Sequence, residues 1–344
     1  MGDGMQSKMD DTGGAILSNP SDVSSYLRRG RLFFESGELD RALDDYSRAI
    51  RLNSREFSAY FNRGRVYRNL RQTAYAVADF SMAIRINPAF GPAFAERAAC
   101  YEDLGKVFRA IQDYTDAARR TPDLAQAASI YVRRAVCHLR SGQYADAIAD
   151  CGLALCRDEL NAEAFFRRGQ AFALLARHEE AEAQFSEALA LRAEYAEAYF
   201  CRGISRAMLL KFSEAVADQS AGLGLKPRDP MALYHRGVAH DSLGHEAETL
   251  ADLSEAVRAM PENEHFHFTR ASVHHRMGLW RRAIMDYSFA ISLEPGFTVA
   301  LYNRGACLER LGELARAEAD YRAALAASPE YLAAALALED LLDR

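Results

Sequence analysis

The C-terminal part of the chain reads Leu301-Tyr302-Asn303-Arg304-Gly305, followed by Leu311-Gly312 and then by Ala317, Tyr321, Ala324 and Pro329. The same frame recurs along the chain, anchored on one small residue. The anchors are Gly30, Gly64, Ala98, Ala135, Gly169, Gly203, Gly237, Ala271 and Gly305. Successive anchors lie 34 residues apart, except for one spacing of 37 between Ala98 and Ala135. Nine copies at one period indicate an architecture of tandem repeats.

Other columns align when the anchor is numbered position 8 of a 34-residue repeat. Position 4 is mostly aromatic, position 20 is Ala in eight repeats, position 24 is mostly aromatic, and position 32 is Pro in six. Positions 4, 8 and 11 share one helical face, and positions 20, 24 and 27 share a face of a second helix. Gly at position 15 in six repeats separates the two. Each repeat is therefore predicted to be a helical hairpin.

In these columns the chain resembles tetratricopeptide-repeat (TPR) proteins. The resemblance implies an all-α fold, a right-handed superhelical solenoid of nine hairpins with a concave groove. The nine repeats span 23–330 and begin near residues 23, 57, 91, 128, 162, 196, 230, 264 and 298. Residues 331–344 are predicted to form a capping helix, which covers the last apolar face of a solenoid. Residues 1–20 are rich in Gly, Ser and Asp, and we expect a disordered tail there.

Two repeats depart from the frame. Three extra residues at 125–127 predict a longer helix or loop before the fourth repeat, with a local change in superhelical pitch. The sixth repeat has Arg206 at position 11, Gln219 at position 24 and Gly222 at position 27. Because Gly inside a helix costs about 1 kcal/mol relative to Ala, we expect a looser hairpin.

Composition excludes several classes of function. The net charge of −6 and pI near 5.9 do not provide the basic stripe typical of nucleic-acid binding. No apolar run approaches the roughly 20 residues of a membrane helix, so we expect no membrane insertion. Six cysteines without a CxxC pair favour a reducing compartment. We therefore expect a cytoplasmic protein, with a cytoskeletal or ciliary place as a further option.

Charged residues form two columns. Position 7 is Arg in every repeat, and position 23 is Asp in eight, with Gln184 in the fifth. The columns are Arg29, Arg63, Arg97, Arg134, Arg168, Arg202, Arg236, Arg270 and Arg304, and Asp45, Asp79, Asp113, Asp150, Asp218, Asp252, Asp286 and Asp320. We interpret them as structural ion pairs, within a repeat or across a junction. The alternative is a basic track for an acidic ligand, which the Asp column would neutralise.

In TPR proteins the first helices line the concave groove, and the resemblance carries this over through positions 2, 5, 9, 12 and 13. Position 5 is aromatic in repeats five to nine, and exposed aromatic residues are common binding anchors. The predicted partner-binding residues are Phe166, Gln170, Leu174, Phe200, Ile204, Met208, Tyr234, Phe268 and Tyr302, with Arg31, Phe61 and Arg65 near the N-terminal end. The alternative is that position 5 is ordinary half-buried packing. An acidic segment is one option at Arg31, Arg65 and Arg68, and a solvated rim is the other.

The sequence offers little support for a carboxylate clamp, a metal site or a catalytic site. Chaperone-binding TPR proteins clamp a terminal carboxylate with five Lys, Asn and Arg residues, and at the matching positions only Asn62 agrees. His267 and His274 share a helical face but have no carboxylate or Cys ligand at helical spacing, so we interpret them as packed ring substitutes rather than metal ligands. No catalytic motif occurs. We expect no enzyme activity, no cofactor, no metal and no small-molecule substrate.

These residues favour a protein–protein interaction scaffold or adaptor that binds a peptide or helix of a partner in the groove. The alternative is a structural subunit of a large assembly, for example ciliary or cytoskeletal, held by its convex face and its ends. Nearly the whole chain is repeat, with no separate effector domain, and this is compatible with both interpretations.

Overall fold

The computed structural model describes residues 2–343, with side chains for residue 8 and for residues 11–343. Across residues 2–343 the secondary structure is helical, joined by turns, and no β-strand occurs. The predicted all-α class is confirmed. The chain folds into two compact parts, one that ends at Ala176 and one that begins at Arg177, and each is described separately.

The N-terminal part contains ten helices within its described residues. They are α1 (Gly2–Ser18), α2 (Val23–Ser36), α3 (Leu39–Leu52), α4 (Phe57–Asn69), α5 (Thr73–Ile86), α6 (Gly91–Asp103), α7 (Val107–Arg120), α8 (Leu124–Arg140), α9 (Tyr144–Leu155) and α10 (Ala162–Leu174). The C-terminal part contains ten more in the residues described. They are α11 (His178–Leu191), α12 (Ala196–Met208), α13 (Phe212–Leu225), α14 (Pro230–Ser242), α15 (Glu246–Ala259), α16 (Glu264–Arg276), α17 (Trp280–Leu293), α18 (Thr298–Arg310), α19 (Leu314–Ala327) and α20 (Leu332–Leu342).

The helices pair in chain order. In the N-terminal part α2 to α9 form four consecutive hairpins, and in the C-terminal part α12 to α19 form four more. The fifth repeat supplies α10 to the first part and α11 to the second. Within residues 2–343, helices α2 to α19 therefore match nine two-helix repeats in order and in length.

Small residues at position 8 allow the two helices of a hairpin to approach closely. A Cβ added at Gly64 would lie 2.8 Å from the ring of Phe80, and one at Gly30 would lie 2.9 Å from the ring of Tyr46. Both rings are almost completely buried. The aromatic residue at position 24 therefore occupies the space that the small residue at position 8 leaves, and the two columns are one packing arrangement.

Each hairpin turn passes through a left-handed backbone conformation at position 15. Six of these residues are glycines, with φ between 68° and 83°: Gly37, Gly105, Gly142, Gly244, Gly278 and Gly312. Arg71, Ala176 and Leu210 adopt the same conformation, with φ of 57° to 60°, at the three positions without Gly. Because a Cβ makes this region costly, three repeats carry local backbone strain that the other six avoid.

The three additional residues before the fourth repeat extend a helix. Helix α8 has 17 residues, whereas α4 and α6 have 13. The Asp123 side chain caps its first turn and accepts a hydrogen bond of 2.7 Å from the backbone N–H of Gln126. The longer helix that the sequence predicts here is confirmed.

Both ends of the repeat array are covered by a helix. At the C-terminal end, α20 packs on α19 and buries Ala334 and Leu341. At the N-terminal end, α1 replaces the disordered tail that we expected for residues 1–20. Its residue Ile16 is buried in a cluster with Tyr26, Ala49 and Ala59. The physical reason is that this contact shields apolar surface of the first hairpin from water.

The sixth repeat is not the loose hairpin that its sequence suggested. Arg206 donates from Nη1 to Asp218 Oδ2 at 2.8 Å and from Nε to Glu182 Oε1 at 2.9 Å. The ring of Phe200 lies directly over Gly222, where an added Cβ would be only 2.2 Å from Phe200 Cε1. The ion pairs of Arg206 thus replace the usual apolar contact at position 11. The Phe200 ring occupies the space that Ala takes at position 27 in other repeats.

Candidate functional site

The arginine and aspartate columns are joined as ion pairs inside eight of the nine hairpins. In eight repeats the Arg on the first helix donates from Nε and Nη2 to both carboxylate oxygens of the Asp on the second, at 2.5–2.9 Å. The eight aspartates are buried, with 3–7% of their surface exposed. Such two-pronged pairs fix geometry as well as contributing energy. These arginines are therefore engaged in the fold.

Six of these arginines also reach the preceding repeat. Arg63 donates from Nη1 to the hydroxyl of Ser47 at 3.1 Å, and Arg97 donates to Ser81 at 3.0 Å. Equivalent contacts join Arg134 to Thr115, Arg202 to Ser186, Arg236 to Ser220 and Arg304 to Ser288. The hydroxyl column at position 25 is visible in the sequence but was not recognised. Each of these arginines thus links its own hairpin to the one before it.

The predicted aromatic binding column is largely a packing column. Phe166 is only 3% exposed, so its ring is not the surface anchor that we expected. Phe200, Tyr234, Phe268 and Tyr302 are half-buried. Tyr234 stacks on the Phe266 ring, Phe268 packs on Tyr287 and Phe297, and Tyr302 packs on Tyr321 and Tyr331. These rings fill space both within a hairpin and at its junction with the next helix.

The polar and aliphatic residues of the predicted groove differ in exposure. On α10, Leu174 is 57% exposed and Gln170 is half-buried, its Oε1 accepting a hydrogen bond of 2.9 Å from Arg167. On α12, Met208 is 62% exposed and Ile204 is half-buried. Only Leu174 and Met208 of this group therefore present a large apolar surface to solvent.

At the N-terminal end, the first-helix face opens into a cavity of about 460 Å³. Its lining residues are Phe34, Arg65, Arg68, Asn69, Arg71, Glu96 and Asp103. Of the residues predicted from sequence here, Arg65 and Arg68 line the cavity, and the ring of Phe61 contacts Arg65. Arg31 lies nearby on α2 and is exposed, paired with Glu35 at 2.8 Å.

Two aromatic rings hold Arg65 in place. Its guanidinium carbon lies 4.9 Å from the ring centroid of Phe34 and 5.9 Å from that of Phe61. The Phe61 ring is itself fixed against Phe80 and Phe90. Such cation–π contacts restrict the guanidinium without neutralising its charge. Its N–H groups therefore remain available as donors in the cavity.

Arg68 and Arg71 complete the basic side of the cavity. Arg68 Nη1 contacts Glu96 Oε2 at 2.5 Å, so its charge is already balanced. Arg71 is exposed and stands at the strained position 15 of its repeat, with φ of 58°. Local strain is more common at functional positions than elsewhere. Sequence reasoning named Arg31, Phe61, Arg65 and Arg68 but missed Phe34, Asn69 and Arg71, since which side chains border one cavity depends on how α2, α4 and α6 pack.

The histidine pair of the eighth repeat has a carboxylate neighbour after all. His274 Nδ1 lies 3.2 Å from Asp286 Oδ2, and His267 Nδ1 lies 3.7 Å from Asp286 Oδ1. Burial raises the pKa of Asp286, but the contacts of its carboxylate with His274 and Arg270 outweigh that and hold the pKa below its usual value. Among the described residues, no group of three His, Cys, Asp or Glu side chains has the arrangement of a metal site.

The cysteines at position 10 are packed in the interior. Burial raises the pKa of Cys100 and of Cys307 to about 11, and that of Cys137 to about 12. Since the thiolate is the reactive form, these thiols are poor nucleophiles at neutral pH. Their chemistry is that of small apolar side chains.

Comparison with known families agrees with the repeat geometry. A family described as TPR repeat matches residues 30–70. Families described as tetratricopeptide repeat match residues 57–90, 101–158, 162–195 and 268–331. No curated protein matches the sequence. Within the part of the chain that the structure describes, no helix is both long enough and apolar enough to cross a bilayer.

Several solved structures have a similar fold. The C-terminal part of a TPR repeat-containing protein from Cytophaga hutchinsonii has a TM-score of 0.58 and 16% identity, covering 70% of this chain and 97% of that one. A TPR protein from Parabacteroides merdae has a TM-score of 0.54 and 19% identity, covering 73% and 98%. The APC/C hetero-tetramer Cut9–Hcn1 has a TM-score of 0.55 and 14% identity, covering 97% and 81%. At these identities the similarity describes the fold alone.

Proposed function

Because the chain belongs to the tetratricopeptide-repeat family, we propose that it is a non-catalytic scaffold that binds a segment of another protein on its first-helix face. The observation that carries this proposal is the cavity bordered by Phe34, Arg65 and Asn69. It is open to solvent, and it combines a fixed cation with an aromatic wall. Such a combination suits recognition of a peptide or helix laid along a repeat surface.

The proposed site lies at the first three repeats, away from the aromatic residues of the fifth and sixth repeats that the sequence favoured. Phe166 is buried, and Phe200 is packed over Gly222, so neither ring is free to anchor a partner. We place the scaffold in a reducing compartment such as the cytoplasm, because all six cysteines are unpaired. Imaging of a tagged chain, with cytoskeletal and ciliary markers, tests that placement.

One observation favours the second candidate, a structural subunit of a larger assembly. The outward face of α17 carries Met285, Phe289 and Leu293 at a spacing of four, and their exposed fractions are 62%, 54% and 42%. Three large apolar side chains in one row on a second helix are a suitable surface for permanent assembly contacts.

A pair of matched variants separates the two candidates. Asn69→Trp adds bulk at an exposed position that lines the cavity, and Met285→Trp adds bulk at an exposed position on α17. Tagged chains are captured from cells after cross-linking, and bound proteins are quantified by mass spectrometry. The proposal expects Asn69→Trp to remove specific partners that Met285→Trp retains. The reverse result favours the assembly subunit, and partner lists unchanged in both variants contradict the proposal.

A further inference from the structure

The region around the cavity is much more basic than the rest of the chain. Residues 57–143 contain 13 Lys and Arg against 7 Asp and Glu, a net charge of +6. The whole chain has a net charge of −6, so the remainder carries −12. The positive charge is concentrated in the second and third repeats and the first helix of the fourth. A local field of this sign attracts acidic partners and raises their association rate.

Of the three arginines that line the cavity, two have no carboxylate within ion-pair distance among the described residues. Neither Arg65 nor Arg71 forms an ion pair with any residue that the structure describes, whereas Arg31 is paired with Glu35 and Arg68 with Glu96. Both unbalanced arginines border the same cavity, with the exposed amide of Asn69 between them in sequence. Two guanidinium groups and an amide are a suitable donor set for carboxylate oxygens.

A second opening, with a more apolar lining, lies at the turn after α6. It measures about 440 Å³, and its lining includes Val107, Phe108, Lys106 and Arg140. Phe108 is 74% exposed, the highest value among the Phe, Tyr and Trp side chains that the structure describes. Asp103 lines the basic cavity and Gly105 lines the apolar one, so the two linings come within two residues of each other along the chain, at the turn between α6 and α7. A segment that follows this turn would contact both openings.

We infer that the partner segment is an acidic stretch of polypeptide whose carboxylates bind Arg65 and Arg71 and whose bulky apolar side chain packs on Phe108. This inference rests on the proposed function and names the chemistry of the partner. Nucleic acid is the rival polyanion. The acidic side chains of Glu96 and Asp103 line the basic cavity, and they interrupt the continuous basic stripe that a phosphate backbone requires. A peptide can place its carboxylates away from them.

Fluorescence anisotropy with defined probes tests the inference on the full chain. The first probe is a labelled, acetylated and amidated 12-residue peptide of Asp and Glu with one central Phe. Matched probes replace the acids by Asn and Gln, replace Phe by Ala, or carry a free C-terminal carboxylate. A 12-nucleotide oligo-dT is the nucleic-acid probe. We expect the acidic Phe peptide to bind best, with an affinity that falls as salt is raised.

Charge-matched variants locate the site. Arg65→Gln/Arg71→Gln should lower the affinity for the acidic peptide about tenfold or more, since two charge-assisted contacts are lost. Arg281→Gln/Arg282→Gln removes the same charge from exposed positions on α17 and should change affinity less than about twofold. Phe108→Ala should weaken binding of the Phe peptide but not of its Ala form. Leu160→Ala removes another exposed apolar side chain and is the control. Arg65→Lys keeps the charge while losing the planar fork, and it should bind more weakly than wild type.

Each remaining outcome has a definite meaning. Tighter binding of the free-carboxylate peptide, with the same dependence on Arg65, supports the inference and identifies a chain terminus as the carboxylate source. The inference is overturned if the Asp/Glu peptide and the matched Asn/Gln peptide bind equally well. It is also overturned if Arg281→Gln/Arg282→Gln weakens peptide binding as much as Arg65→Gln/Arg71→Gln does. Preferred binding of oligo-dT through Arg65 also overturns it. If Asn69→Trp removes cellular partners while the acidic peptide does not bind, only this inference fails and the proposed function stands.

Discussion

Arg236 donates from Nε and from Nη2 to the two carboxylate oxygens of Asp252, and both distances are 2.7 Å. The side chain of Asp252 is 9% exposed and that of Arg236 is 24% exposed. The hydrogen bonds that Arg236 donates to Asp252 raise the pKa of Arg236 more than its burial lowers it. The pair therefore joins α14 to α15 in a setting where solvent screens it little.

Removal of this carboxylate should destabilise the fold more than removal of an exposed one. Asp252→Ala leaves the partly buried Arg236 without its partner, which we expect to cost about 3 kcal/mol. Asp241→Ala breaks the pair with Arg276, whose side chain is 58% exposed, and should cost less than about 1 kcal/mol. Thermal unfolding followed by circular dichroism measures both. Equal melting temperatures would show that the buried pair contributes no more than the exposed one.

A second prediction concerns Gly222. Replacing a helical Gly by Ala usually stabilises a protein, but at Gly222 the ring of Phe200 should reverse that effect. An added Cβ would meet the Phe200 ring at 2.2 Å, so Gly222→Ala should destabilise by about 1–2 kcal/mol through overpacking. Gly224→Ala lies in the same helix, with nothing within 4 Å of its added Cβ. It should instead stabilise by up to about 1 kcal/mol.

The double variant Phe200→Leu/Gly222→Ala identifies the cause. If the steric argument holds, Leu in place of Phe removes the clash, and the two changes together cost less than the sum of their separate effects. Urea unfolding of the four proteins in the cycle provides the coupling free energy. Strict additivity would mean that the ring and the added methyl group do not compete for the same space.

The 34-residue period was sufficient to predict the class, the number of hairpins and the extended helix α8, because each of these depends on local helical spacing. Helix α1 was missed since its Gly, Ser and Asp composition has little helical signal, and its position depends on burial of Ile16 against the first hairpin. The burial of Phe166 and the approach of Asp286 to His274 also depend on packing between helices. Residue spacing along one helix does not predict this burial or this contact.

The candidate site was only partly predictable for a related reason. Arg65 stood at a position that lines the groove in TPR proteins, so family knowledge pointed to it. Phe34 comes from the preceding hairpin and meets Arg65 only once α2 is packed on α4, and Arg71 belongs to a turn that helical spacing does not place. The serine column that joins neighbouring repeats was readable all along as a periodic residue type. The column was missed because a hydroxyl side chain does not by itself indicate which residue it bonds. Its partner, the arginine Nη1 of the next repeat, is identified only in the folded structure.

A third prediction uses the strained turns. Leu210 has φ of 60° and is 75% exposed, so it carries backbone strain without contributing much burial. Leu210→Gly should stabilise the protein by about 1 kcal/mol. Gly244 occupies the same position one repeat later, with φ of 76° and open space around its Cβ site. Gly244→Leu should destabilise by a similar amount, and the two melting curves should shift in opposite directions. Shifts of the same sign would contradict the strain argument.

The last prediction concerns acid. Burial lowers the pKa of His235, and likewise those of His240 and His275, because the charged imidazolium is disfavoured inside the fold. Below the ordinary His pKa of about 6.5, the unfolded chain therefore binds more protons than the folded chain, and the free energy of unfolding falls as the pH decreases. One fully linked proton corresponds to a slope of about 1.4 kcal/mol per pH unit. His235→Gln should flatten the decline in stability between pH 7 and pH 5, measured by urea unfolding at each pH. His265→Gln removes an exposed imidazole as the control for the chemical change. Parallel curves for wild type and His235→Gln would show that the protonation of His235 is not linked to folding.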